Sequence, residues 1–587
     1  MCGLAGILAL PGQEVPEAVL DGFARAIGHR GPDGEGRYRN GPLAMVHLRL
    51  AIIDLVTGDQ PLFGPARTVL VANGEIYNHV EWRKVLGPET FRTNSDCEVP
   101  LRLYQDDEAD FARGLRGMYA IALWDAARGR LLLTRDPFGI KPLYIAQTAY
   151  GLAFASEPQA FVGAGLIRAE VDEERRDELL QCQFTTGRGT IFAGVERVLP
   201  GETLVVEHGR IVDRRRRPAL PERDEGGWDE EEALRRLGAA LMDSVRVHER
   251  SDVPYGLFLS GGVDSSAILA AMARIDTAPV RAYTVGFDVP EARDERAHAA
   301  DVARAAGAEH VEVSFGMEDF WRLLPEVAGA MDDPAADYAV LPTYRLAEAA
   351  RRDLKVVLSG EGGDELFAGY GRYRKVLRPR LLGGGRMRRK GSFDGLGVLR
   401  TASPLWRAGL EAAWQDSARP GRSLLQQAQA SDIADWLPND LLTKLDRCLM
   451  AHGVEGRVPF LDAHVADVAF RLPDVLKLRD GRGKWLLRRW LHEALPEADA
   501  FSAKRGFTVP VGAWIAQRAD LLGPLVARQP AIAALARPGR VERLFSAARG
   551  GREGFAAWTL LFYALWHRRH VDGCDTRGMA VDQALAA

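Results

Sequence analysis

A chain of 587 residues is long enough for more than one domain. With 47% apolar and 27% charged residues it has a soluble globular composition, which excludes disordered and fibrous classes. A net charge of −4 gives no reason to expect nucleic acid, and five scattered cysteines argue against a disulfide framework or zinc site and for a reducing cytoplasm.

The chain opens Met1-Cys2-Gly3-Leu4-Ala5-Gly6-Ile7. Once Met1 is trimmed, Cys2 carries a thiol and a free α-amine. The thiolate is the nucleophile, and an amine titrating near pH ~8 can take its proton. Alone, the same residue reads better as a small apolar residue opening a buried strand, and the rest of the sequence reverses that. The apolar start stops at Pro11 and Gln13 with no basic segment before it, so it makes a poor signal peptide, and a removed leader would discard Cys2. No membrane span is expected.

Strand-like runs follow at 43–46, 69–72, 119–124 and 131–133, with helical patterns at 19–27 and 80–86. Turns rich in Gly, Pro, Asn and Asp separate them, which predicts antiparallel sheets, possibly layered, with helices outside. This first unit is assigned to residues 1–213. Residues 214–229 open with four consecutive arginines, followed by two prolines and a Gly-Gly, and read as a solvated linker rather than an anion site.

From 230 the rhythm becomes strand, helix, strand, helix. Strands are expected at 253–259, 280–287, 310–315 and 354–358, and helices at 265–273, 295–306, 320–330 and 343–352. That alternation predicts a parallel sheet covered on both faces, with added helices, over residues 230–530. A helical extension and a frayed tail are assigned to 531–587. The basic, Gly-rich stretch 378–397 reads as a mobile loop in which only Phe393 offers a base a stacking surface, so nucleic acid is not expected there.

Ser260-Gly261-Gly262-Val263-Asp264-Ser265-Ser266 lies between an expected strand and an expected helix. Two glycines let the backbone approach an anion, and hydroxyls and free amides at a helix start cradle phosphate. Asp264 would repel bare phosphate, and it makes sense as a ligand for Mg²⁺. A second element, Ser359-Gly360-Glu361-Gly362-Gly363-Asp364-Glu365, also follows an apolar strand. Ligands of open α/β sheets bind beyond the strands' carboxyl ends, so Asp264 and Asp364 can share a metal with Glu361 beside the reacting group. No Gly-x-x-x-x-Gly-Lys-Ser/Thr occurs. The loop resembles the pyrophosphatase (PP) loop of enzymes that cut ATP between its α and β phosphates, which implies acyl activation.

Taken together, the chain resembles the glutamine-hydrolysing asparagine synthetases, from Met1 to about residue 520. The N-terminal half carries His29-Arg30-Gly31-Pro32-Asp33, Leu48-Arg49-Leu50-Ala51-Ile52-Ile53-Asp54, Asn73-Gly74-Glu75-Ile76-Tyr77-Asn78 and Ser95-Asp96-Cys97-Glu98. It is similar to amidotransferases with a terminal cysteine nucleophile and an antiparallel αββα sandwich. The resemblance implies that Arg49, with Leu50, Ala51, Ile52 and Ile53, receives free glutamine, whose carboxylate Arg49 can clamp. Glu75 and Asp96 would hold its ammonium, and the Asn73 side chain and Gly74 amide would form the oxyanion hole. In the other half it implies ATP contacts at Leu259, Ser260, Gly261, Gly262, Asp264, Ser265, Val285, Ser359 and Gly360. Lys484 matches a family lysine near the pyrophosphate, though a solvated helix face reads about as well. Where the family usually has alanine, this chain has Gly456, which leaves the acceptor open between aspartate and another carboxyl. The expected partners are glutamine, aspartate and ATP·Mg²⁺, with neither nucleic acid nor membrane. The expected location is cytoplasmic, and a homodimer is left open.

Overall fold

The structure is a computed structural model that describes residues 2–222, 227–287, 295–382, 384–385, 387, 390–401, 403–502 and 509–587. Its N-terminal half holds two antiparallel sheets of six strands each. The first runs, in spatial order, Val195–Arg197, Tyr144–Gln147, Gly151–Ala155, Gly3–Ala9, Leu43–Arg49 and Gly34–Asn40. The second runs Arg210–Arg216, Glu202–Glu207, Arg130–Arg135, Gly117–Asp125, Thr68–Ile76 and Leu62–Phe63.

Alternation of side chains along each strand builds the layers. Leu4 and Leu8 turn into the space between the sheets, where Met45, Val71, Ala122 and Trp124 meet them. Ala5, Ile7 and Ala9 turn outward under the helix Glu17–Ile27, which buries Leu20, Phe23 and Ile27. On the other side Tyr119, Ile121 and Leu123 pack under the helix Val99–Asp107 through Leu101, Leu103 and Tyr104. Both faces of the central strands are therefore dry, so they read as continuous apolar runs. The result is the expected αββα sandwich.

The C-terminal half is built on a parallel sheet in the order Glu309–Phe315, Arg281–Phe287, Tyr255–Phe258, Val356–Leu358, Glu455–Arg457. Successive strands step to one side of Tyr255–Phe258, then the chain returns to its other side. The two loops that follow Tyr255–Phe258 and Val356–Leu358 thus flank a topological switch point, where such sheets bind ligands. The outward face of the first antiparallel sheet and the parallel sheet share one apolar core, so the halves are packed directly together.

Four sequence expectations change. Residues 214–216, assigned to the linker, form the end of the edge strand Arg210–Arg216, because the ladder to Glu202–Glu207 continues through Glu202↔Arg216. The expected frayed end instead forms the helix Val581–Ala586, whose Ala584 and Leu585 are buried and whose Leu585 carbonyl accepts from Gln529 Nε2 at 2.5 Å. In the basic stretch 378–397, residues 383, 386, 388 and 389 lie outside the described residues. Phe393 is buried, its N–H donating to Gln181 Oε1 at 3.0 Å, so it offers no stacking surface. The fifth parallel strand, Glu455–Arg457, was not expected as a strand because it is only three residues long and mostly charged. Among the described residues, no helix is long and apolar enough to cross a membrane.

Candidate active sites

Cys2 is buried directly before the strand Gly3–Ala9. Its backbone N–H donates to Asn73 Oδ1 at 2.9 Å, and its Sγ lies 3.8 Å from the Leu50 carbonyl. Because Asn73 Oδ1 accepts from Cys2, the amide nitrogen Nδ2 faces elsewhere. It is buried and has no hydrogen-bond partner among the described residues. An unpaired buried donor costs about 1–3 kcal/mol, so the position lacks one acceptor oxygen. Gly74 follows on the same strand, opposite Tyr119. A Cβ at Gly74 would lie 2.1 Å from the Met118 carbonyl oxygen, so the strand closes this tightly only with glycine.

Glu75 and Asp96 face the same region. Asp96 Oδ2 accepts from the Ile76 N–H at 2.6 Å, at the start of a short turn capped by Ser95. Burial, and next the charge of Glu455, push the Glu75 carboxyl well above its usual range, while Arg457 at 3.2 Å opposes the shift. Burial also raises Asp96 and the Cys2 thiol. Two carboxyl groups held dry in this way suit an ammonium, which restores their charged form. Arg49 Nη1 is paired with the exposed Asp59 at 2.7 Å, and its Nη2 donates to the Asp54 carbonyl. The Leu50–Ile53 segment is pinned from both halves. The Ala51 N–H donates to Asp33, itself 2.8 Å from Lys355, and the Ile52 carbonyl accepts from the Asp252 N–H at 3.0 Å.

In the C-terminal half the loop after Tyr255–Phe258 folds on its own hydroxyls. Ser265 Oγ accepts from the Ser260 N–H at 3.1 Å, and Ser260 Oγ accepts from the Gly262 N–H at 3.2 Å. Leu259 is buried, and its N–H donates to the Tyr283 carbonyl at 2.8 Å; Val285 lies on the next strand. Gly360 and Gly363 bring the second loop against Asp264: a Cβ at Gly363 would sit 2.6 Å from Asp264 Oδ1. Lys484 takes a left-handed conformation before the helix Trp485–Ala494 and is buried, so the solvated-face reading is overturned. Its Nζ contacts Asp264 Oδ2 and lies 2.6 Å from Asp364 Oδ1. Burial opposes its charge, but the two aspartates outweigh it and raise its pKa. Two carboxylates converging on one cation are the donors Mg²⁺ uses alongside phosphate oxygens, so the residues fit that ion. Glu361 lies 3.9 Å from Lys444, which is anchored to Asp337 at 2.9 Å.

One short strand joins the two clusters. The Arg457 carbonyl accepts from the Ser359 N–H at 2.8 Å, and the Arg457 guanidinium reaches Glu75 at 3.2 Å and Glu455 at 2.6 Å. Alternation puts Glu455 and Arg457 on one face and Gly456 on the other. A side chain at Gly456 would meet Leu449 at 3.1 Å and Leu445 at 3.2 Å, so the departure from alanine changes apolar packing. Beside this strand, Arg30 donates to the Cys2 carbonyl at 3.2 Å and pairs with Glu157 at 2.6 Å and Asp446 at 2.8 Å. Asp446 and Asp332 in turn hold Arg447.

The structure thus brings Cys2, Asn73, Gly74, Glu75 and Asp96 to one place, and Ser260–Ser265, Ser359–Asp364 and Lys484 to another. Sequence reasoning gave no role to Arg30, Lys444, Asp446, Glu455 or Arg457. Arg30 sits inside a motif that was singled out and Glu455 and Arg457 flank Gly456, but they meet Asp446 and Glu75 only across long stretches of chain. Lys444 and Asp446 look like ordinary helix charges until the fold buries them.

The asparagine synthase family model matches residues 236–568, and a glutamine amidotransferase domain model matches residues 1–216. Asparagine synthetase [glutamine-hydrolyzing] 1 of Bacillus subtilis is 32% identical over 621 aligned residues, covering 97% of this chain and 97% of its own. Asparagine synthetase B [glutamine-hydrolyzing] of Escherichia coli is 30% identical over 561, covering 90% of this chain and 85% of its own. The amidase chyE of Penicillium rubens is 31% identical over 408, covering 64% of this chain and 60% of its own.

Proposed function

The chain belongs to the glutamine-hydrolysing asparagine synthetase family, and we propose that it converts aspartate to asparagine with ammonia drawn from glutamine. In this reading Met1 is removed and the Cys2 α-amine takes the thiol proton. The thiolate attacks the glutamine side-chain amide, and ammonia leaves a thioester that water opens to glutamate. Asn73 Nδ2 and the Gly74 N–H stabilise the oxyanion of both steps. The substrate carboxylate takes Arg49 from Asp59, and its ammonium lies against Glu75 and Asp96.

ATP enters the switch-point crevice, with Leu259 and Val285 beside its base and the Ser260–Ser265 loop around its phosphates. Mg²⁺ carried on ATP would be held by Asp264 and Asp364, where it neutralises the leaving pyrophosphate. Lys484, beside both aspartates, would add its charge to the same phosphates. The aspartate side-chain carboxyl displaces pyrophosphate and forms β-aspartyl-AMP. Ammonia attacks that acyl group, and AMP leaves. Glu361 accepts the proton that ammonia loses.

The observation that carries this reading is the Glu455–Arg457 strand, bonded to Ser359 on one side and to Glu75 on the other. Ammonia released into water would mostly be protonated, and this contact supports its transfer inside the protein.

The test is product analysis with glutamine, aspartate, ATP and Mg²⁺. Asparagine, AMP and pyrophosphate are expected in equal amounts, and ADP in place of AMP removes the adenylate step. Cys2→Ala should abolish glutamine use and spare synthesis from ammonium salts. A relative named as an amidase favours one second reading, the same chemistry on another carboxyl acceptor. A peptide or metabolite acid that outcompetes aspartate would establish it.

A further inference from the structure

We propose that the outer face of the second antiparallel sheet carries a binding site for a small phosphorylated compound, apart from both active sites. The edge strand Arg210–Arg216 and the turn after it wall a cavity of about 420 Å³. Arg113, Arg135, Arg215, Arg216 and Arg217 all line it, against one lining carboxylate, Asp110. The volume lies within the ~300–1,000 Å³ of small-molecule pockets.

Among the lining side chains positive charge is in excess. Asp110 is taken by Arg215 at 3.2 Å and Arg113 at 3.6 Å. Asp213, on the same edge strand, is taken by Arg215 at 2.9 Å, and Glu202, opposite Arg216 in the ladder, is taken by Arg188 and Arg214. Among the described residues Arg135, Arg216 and Arg217 make no ion pair and donate only to backbone carbonyls. Arg135 reaches those of Lys141, Val198 and Gly139 at 2.7, 2.8 and 2.8 Å, Arg216 that of Pro200 at 3.0 Å, and Arg217 that of Arg113 at 3.0 Å. Arg135 is itself buried, and burial pulls its pKa below the usual guanidinium value.

Five guanidinium groups around one cavity with a single lining carboxylate leave an excess of positive charge there, which a bound anion would offset. Guanidinium forks arriving from several directions match the tetrahedral oxygens of phosphate, whereas a planar carboxylate takes one fork. Tyr119, Pro137 and Pro218 add an apolar wall, which suits an organic phosphate over a bare ion.

The test is calorimetric titration of inorganic pyrophosphate into the full-length protein, Arg216→Ala/Arg217→Ala, and Asp264→Asn. Asp264→Asn identifies binding at the nucleotide loop. A saturable class should persist there and weaken by at least about tenfold in the double arginine variant. Arg113→Ala, at an exposed position, should weaken the same class less and guards against misfolding of the double variant. AMP should occupy this class, and citrate should not displace pyrophosphate from it. Unchanged binding in both arginine variants, loss of all binding in Asp264→Asn, or displacement by citrate at equal concentration would overturn the proposal.

Discussion

Under the proposed function, replacing Asn73 by alanine should separate the glutaminase from the synthetase. Asn73 Oδ1 accepts the Cys2 N–H at 2.9 Å, while Nδ2 is buried without a partner among the described residues. In the proposed role this donor is used only when an oxyanion forms, so its loss should fall on the transition state. Removing one such donor typically costs about 10²–10³ in kcat, or about 2.7–4 kcal/mol. The folded protein should lose little, because the accepted bond contributes about 0.5–1.5 kcal/mol and removal of the unpaired Nδ2 offsets it. Glutamine hydrolysis followed by glutamate release, beside asparagine formation from ammonium chloride, reads the two separately. The expected outcome is a hundredfold-scale loss in the first and none in the second. Equal losses in both assays, or an unchanged glutaminase, would refute the assignment of Nδ2.

Three further outcomes follow from the packing. Gly363→Ala places a Cβ within 2.6 Å of Asp264 Oδ1, so the KM for ATP should rise while glutaminase activity stays level; an unchanged KM would show that the loops have room to part. Glu249 is pushed to about 8 from its ordinary 4.5 by burial and then by Asp276, so the folded state holds its proton more tightly than the unfolded chain. Stability is therefore lost as pH rises from about 4.5 to about 8, and Glu249→Gln should melt progressively higher than the parent across that window. Parallel melting curves at every pH would contradict this. Arg30→Met leaves Glu157 and Asp446 buried without their shared cation, which should cost about 3–5 kcal/mol in denaturant unfolding; a change below about 1 kcal/mol would mean that Arg447 alone suffices.

The strand runs at 43–46, 69–72, 119–124 and 131–133 were legible because they are apolar on both faces, whereas the exposed, charged strands Gly34–Asn40 and Arg210–Arg216 were not; the parallel sheet was legible because its strands alternate with helices. Strand Glu455–Arg457 was not: three residues, two of them charged, carry no strand pattern, and they lie in the sheet because Val356–Leu358 offers a free edge. The C-terminal end read as frayed because Ala, Asp and Gln dominate it. It is ordered by partners such as Gln529, whose proximity no local pattern records.

By itself the sequence picked out the groups proposed for the chemistry: a cysteine at the second position, an Asn-Gly pair on a strand, and two Gly-rich loops each carrying an aspartate. Residue type and spacing along a few positions fix those, because they depend on local backbone geometry. Only the tertiary structure decided how the groups are charged and connected. Lys484 meets Asp264 across 220 positions of chain, and Arg30 meets Asp446 across 416. Ionisation and coupling depend on burial and distance in space, which arise when the sheets pack and which chain order does not encode locally.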